Sequence, residues 1–173
     1  MKQVLFFIIA FYSLFAQAQD RILTFPDDYL GIYKGNLEIT NAKGKQHVEM
    51  EFHLIATDSI GIYTYKIIYI QEGKRNHRNY TLKTIDAQKG EYAIDEHNGI
   101  ILGAKLVDNV LYNVFEVAGN LVTTTEAFFK DYITFNVVFS STKVKTITKA
   151  TEVGTEVISY PVTVTQKATL KKQ

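Results

Sequence analysis

Apolar and polar side chains alternate one by one along much of this chain. The stretch His47-Val48-Glu49-Met50-Glu51-Phe52-His53 is the clearest case. A period of two is the signature of an extended strand with one face buried and one face wet. From Gly31 onward the same texture recurs in short runs rich in β-branched and aromatic residues. The runs are separated by turn-forming clusters such as Asn41-Ala42-Lys43-Gly44, Glu72-Gly73-Lys74-Arg75-Asn76, Gln88-Lys89-Gly90, Gly119-Asn120 and Ser140-Ser141. The pattern predicts strands near 31–40, 46–56, 62–71, 78–86, 91–96, 100–107, 110–118, 121–129, 132–140 and 143–151. A further extended segment follows from about 156 to 169. Asn98-Gly99 after Asp95-Glu96-His97 reads as a type I′ hairpin, because Asn and Gly accept positive φ. The two prolines, Pro26 and Pro161, lie near the ends of the mature chain and leave a long stretch between them where ladders need not break.

Short connections pair each strand antiparallel with the next. About ten strands in a meander twist, curl and remove their free edges by closing. The expected fold is all-β, an antiparallel up-and-down meander of about ten strands closed into one barrel. A β-sandwich is the alternative, although its crossovers ask for longer loops.

Alternation also assigns faces. Tyr33, Leu37 and Ile39 share one side of the first strand; Val48, Met50, Phe52 and Leu54 share one side of the second. Tyr80 with Leu82, Tyr92 with Ile94, Leu111 with Phe115 and Val117, and the set Ile133, Phe135, Val137 and Phe139 complete the expected interior. The strand 62–71 is apolar on both faces, so another segment is expected to cover it, either 23–30 or the C-terminal stretch.

The first eighteen residues stand apart. A charged Met1-Lys2, an apolar run from Val4 to Phe15 and the small-x-small Ala16-Gln17-Ala18 form a secretory signal peptide. The run is short of the roughly 20 residues that a spanning helix needs, so no transmembrane span is expected in the mature chain. Cleavage leaves residues 19–173 as a single barrel domain, periplasmic or extracellular. Lys2 is the signal's only charge, so the 19 basic residues of the whole chain fall to 18 and match its 18 acidic ones. That balance offers no basic stripe for nucleic acid. There is no cysteine, which excludes thiol catalysis, cysteine-held clusters and cysteine zinc sites.

Three polar clusters invite a chemical reading. His47, Glu49, Glu51 and His53 share a strand face, and i, i+2 neighbours there are close enough to share a metal. The plainer account is a solvated outer face, because nothing nearby supplies second-shell support. Asp95-Glu96-His97-Asn98 lacks the spacing of a calcium loop and reads as a hairpin tip. Lys74, Arg75, His77 and Arg78 read as a basic loop patch. No nucleophile elbow or phosphate loop is present, and no residue is singled out as catalytic. Nothing in the sequence asks for a cofactor.

Gly31-Ile32-Tyr33-Lys34-Gly35 at the first strand resembles the opening of calycin barrels: lipocalins, fatty-acid-binding proteins and nitrobindin-like proteins, which carry Gly-x-Trp there. Lys130-Asp131-Tyr132 is similar to the lipocalin Thr-Asp-Tyr. The resemblance implies a calycin-like barrel holding a small apolar or amphipathic ligand. This chain lacks the Trp, and the arginine that packs on it in lipocalins has no evident counterpart after Arg78. A nitrobindin-like haem histidine would lie late in the chain, whereas the last histidine is His97. Under this reading Tyr33, Met50, Phe52, Tyr80, Tyr92, Phe115 and Phe135 line the lumen. The competing functions are a cell-envelope interaction protein, using its outer strands and the Lys167–Gln173 tail with an envelope protein partner, and an enzyme of unknown reaction.

Overall fold

The computed structural model describes residues 23–173. The signal-peptide reading of residues 1–18 lies outside them. Nine strands run as a meander: β1 (Gly31–Asn41), β2 (Gly44–Ala56), β3 (Ile62–Gln71), β4 (Lys74–Asp86), β5 (Glu91–Asp95), β6 (Ile101–Val107), β7 (Val110–Val117), β8 (Asn120–Phe128) and β9 (Tyr132–Ser141). An excursion follows, with β10 (Thr146–Lys149) and β11 (Glu156–Ser159) paired only with each other. The chain then returns as β12 (Val162–Lys172), which lies between β9 and β1 and closes a ten-stranded antiparallel barrel.

The tenth wall strand is therefore β12. The segment 143–151, expected in the wall, instead gives one arm of an exposed hairpin. Its propensity is right, but neither arm has an apolar face buried against anything. Val162 follows Pro161, and from there the ladder to β9 runs to Lys171. The lysines of the expected tail belong to this closing strand.

The seam between β1 and β12 is tight. A Cβ at Gly35 would sit 2.5 Å from the Thr169 carbonyl oxygen, so glycine lets the two backbones approach. Beside it, Lys172 Nζ lies 5.9 Å from the Tyr33 ring centroid, within reach of a cation–π contact. Tyr33 and Lys172 thus pack against each other across the strand pair that closes the barrel.

Two sequence expectations at turns are corrected. Between β3 and β4 the loop is only Glu72-Gly73, both with positive φ (51° and 73°), as a type I′ hairpin requires. Lys74, Arg75 and His77 are therefore strand residues rather than a loop patch. Alternation then splits them: Lys74 and Arg78 turn toward the barrel mouth, Arg75 and His77 toward the outside. Conversely, 96–100 forms a longer loop than a two-residue turn. It is held by Glu96 N–H donating to Ile100 O and Ile100 N–H donating to Asn98 Oδ1, with the positive φ at His97 and Gly99.

One end of the barrel is plugged. Phe25, ahead of the 3-10 turn Asp27–Tyr29, and Tyr29, its last residue, insert among Tyr92 and Phe128. Three wall tyrosines tie the plug down: Tyr33 donates to Tyr29 O at 2.5 Å, Tyr63 to Asp27 Oδ1 at 2.9 Å and Tyr92 to Phe25 O at 3.4 Å. Segment 23–30 thus stoppers the barrel end and does not cover the outer face of β3, as one sequence expectation had it. The outer face of β1 and β2 carries Lys34, Asn36, Glu38, His47 and Glu49, whereas Ile85, Ile101, Tyr112 and Val114 are exposed on β4, β6 and β7. Among the described residues no helix is long and apolar enough to cross a membrane.

Candidate functional site

Ten strands enclose a wider interior than eight, whose lumen side chains can fill. Here the plugged half is filled and the other half is not. Tyr33, Phe52, Leu54, Leu82, Leu111, Phe128, Ile133 and Leu170 are wholly buried in the closed half. Phe52 sits edge-on to Tyr65 at 4.8 Å between ring centroids. Toward the mouth a chamber of about 240 Å³ remains, walled by Tyr65, Tyr69, Tyr80, Ile94, Leu102, Phe115, Val122, Phe135, Val137 and Phe139. It continues into a rim groove of about 710 Å³, with which it shares Tyr69 and Gln166; Lys74, Asn76 and Arg78 of β4 line that groove.

The lumen candidates therefore separate. Tyr80, Phe115 and Phe135 line the chamber. Tyr33, Met50, Phe52 and Tyr92 also face inward, but they belong to the packed core below it.

Sequence reasoning missed the chamber's polar floor. Asn113 on β7 and Thr124 and Glu126 on β8 all face inward. Asn113 is buried, donates to Gly103 O at 2.8 Å and accepts from the Thr124 hydroxyl at 3.1 Å. Glu126 is 1% exposed. The hydroxyls of Tyr65 and Thr124 lie within reach of its carboxyl, yet Oε2 has no hydrogen-bond partner. Burial pushes this carboxyl up to about 8, against the opposing pull of those hydroxyls. The same burial, with the Glu126 charge second, pushes the Tyr65 hydroxyl far up. The phase of Leu111 and Phe115 already placed Asn113 inside. On β8, three consecutive threonines hide the phase and an acid argues for the wrong face.

The outer candidates behave differently. His47, Glu49, Glu51 and His53 lie on the outside, as alternation requires. Glu51 is not solvated, however; it is 7% exposed. Arg75 reaches across β3 and grips it with Nη2 to Oε2 at 2.8 Å and Nη1 to Oε1 at 3.3 Å. Lys34 Nζ lies 3.3 Å from Oε1 and His53 Nε2 lies 3.0 Å from Oε2. The Arg75 stem thereby covers the second apolar face of β3, where Ile68 is buried. Arg75, first among its partners, holds the Glu51 carboxyl down at about 2. Three groups that can carry positive charge occupy both oxygens, so this carboxylate is built as an ion-pair hub. Among the described residues no group of three or more His, Asp or Glu is placed to hold a metal.

A stability consequence follows. The folded value lies below the unfolded one of 4.5, so the hub's contribution is full above pH 4.5 and is lost as pH falls toward 2. Because Arg75 and Lys34 are nearly half exposed, solvent screening reduces its worth. Glu51→Gln is expected to cost about 1–2 kcal/mol at pH 7 and almost nothing at pH 2. Urea unfolding at the two pH values checks this, and an equal loss at both would contradict it.

Comparison with known proteins adds the fold. Among solved structures the chain is similar to the S-type phycobiliprotein lyase CPES from Guillardia theta, with a TM-score of 0.56 and 9% identity over 85% of this chain and 89% of that one. At that identity the likeness concerns the fold alone, a calycin-like closed barrel. No family model and no curated protein matches the sequence.

Proposed function

We propose that this is an exported binding protein that takes a small amphipathic ligand into the open half of its barrel. The observation that carries this reading is the 240 Å³ chamber left above a fully packed lower half. Protein interiors pack to the density of organic crystals, so space on this scale, open to solvent and edged with polar groups, is the form of a binding site. It falls just below the roughly 300–1,000 Å³ of sites for drug-sized ligands. The chamber therefore suits a compact group, with the rim groove taking any extension. The calycin-like fold, found also in a phycobiliprotein lyase, is in line with this use.

The test is direct binding of 2-(1-naphthyl)ethanol, an uncharged fluorescent alcohol, followed by its own emission. Saturable binding is expected. Val117 lines the chamber at the rim and is 47% exposed. Val117→Trp should therefore narrow the mouth without disturbing the core, and weaken binding by about tenfold or more, equivalent to about 1.4 kcal/mol. Absence of saturable binding to the wild-type protein would sink the reading.

A second reading, an envelope interaction protein, is favoured by one observation. Ile147, Val157 and Ile158 of the β10–β11 hairpin are exposed, as is Val144 just before it. Cross-linking from this hairpin to one stoichiometric envelope partner would support it.

A further inference from the structure

We infer that the chamber selects an organic amine, its protonated nitrogen pairing with Glu126 while its apolar body rests among the aromatic rings. The inference rests on the lumen being a ligand site and adds the chemical class of the ligand.

Three observations converge. The first is charge. The chamber is lined by two carboxyl side chains, Glu126 at the floor and Glu96 at the rim, and by no basic one. The basic residues Lys74 and Arg78 line the neighbouring groove instead. Within the chamber a carboxylate would meet two acids, and the bases lie outside it in the groove. The second is the orphan acceptor. Glu126 Oε2 is buried without a partner, and buried polar atoms in native proteins are nearly always paired. A donor on a bound molecule would supply what the protein lacks. The third is the wall. Tyr65 and Tyr80, stacked 6.5 Å apart, stand with Phe115 and Phe135 around the space. Such π faces attract a desolvated cation.

Proton bookkeeping is consistent with this. The groups facing Glu126 are Tyr65 and Tyr69 from β3, with Tyr80 from β4 beyond them and Arg78 beside Tyr69. From β7, β9 and β12 come only uncharged side chains, namely Asn113, Phe135 and Gln166. With the chamber empty, burial keeps Glu126 protonated at pH 7. An arriving ammonium keeps its own proton and displaces that of Glu126, which leaves through the mouth to the buffer. Binding should release about one proton per ligand at pH 7.

The experiment compares 2-(1-naphthyl)ethylamine with 2-(1-naphthyl)ethanol and 1-naphthylacetate on the intact protein. Calorimetry is run in two buffers of different ionisation heat. The amine is expected to bind at least tenfold tighter than the alcohol, the acetate weaker than both, and only the amine to release a proton. Glu126→Gln should bring the amine down to the level of the alcohol and remove the proton release. If the alcohol binds but the amine binds no tighter and releases no proton, the amine inference falls while the lumen reading stands. If the wild-type protein binds none of the three, both fall. The proton release is read on the wild-type protein, so the test does not depend on the variant folding.

Discussion

Phe128→Ala is expected to destabilise the protein by about 3–5 kcal/mol, a large share of the stability of a domain this size. Phe128 is fully buried, at the end of β8 where wall meets plug. Its ring lies 4.8 Å from Phe25, 5.6 Å from Tyr29 and 6.3 Å from Phe52, between centroids. Removing it loses the transfer free energy of a benzyl group. It also opens a void that collapses poorly, because the strands around it are tied into a closed hydrogen-bonded wall. The loss should be shared between Phe25 and Tyr29, whose seats it forms. Urea unfolding followed by far-UV circular dichroism measures it. A loss under about 1 kcal/mol would mean that the plug is not packed as described.

The second large effect has the opposite sign. Glu126→Gln should stabilise the protein, and by an amount that grows with pH. The carboxyl titrates near 4.5 when unfolded and near 8 when folded. Below pH 4.5 it is neutral in both states and costs nothing through ionisation. As pH rises from 4.5 to 8 the unfolded state ionises while the folded state stays protonated, so wild-type stability falls across that window and levels off above it. The amide is neutral throughout. The advantage of the variant should be near zero at pH 4.5 and approach ~3 kcal/mol at pH 7. Unfolding midpoints at pH 5, 6, 7 and 8 test this. Parallel profiles for the two proteins would show that Glu126 does not titrate as its surroundings require. The window is separate from that of Glu51, whose contribution disappears only below pH 4.5. A residue that costs stability at neutral pH and touches the chamber fits a group kept for binding.

Much of the architecture was legible in the sequence because alternation and turn chemistry act locally. The nine meander strands, and the inward set from Tyr33 to Phe139, follow from side chains changing sides at each step. Three things did not follow. Lys74, Arg75 and His77 have the composition of a loop, and only the two-residue turn at Glu72-Gly73 makes them strand. The β10 segment has the propensity of a wall strand. What it lacks is a buried face, and burial is a property of its neighbours. The chamber floor was hidden because the inward positions of β8 read Val122, Thr124, Glu126, Phe128, a mixture with no clear polarity. Glu51 shows the remaining limit. Alternation put it outside correctly, yet the Arg75 side chain that covers it comes from two strands away.

The wall is completed where β1 meets β12, positions more than a hundred residues apart along the polypeptide. Until that junction forms, both bordering strands have free hydrogen-bonding groups, and no shorter fragment of the chain satisfies them. Refolding should therefore be slow and all-or-none, since contacts so distant in sequence repay their ordering entropy only at the end. A nascent chain would keep the edges of β1 and β9 open until its last strand is made, and the final eleven-residue strand would decide when the barrel shuts.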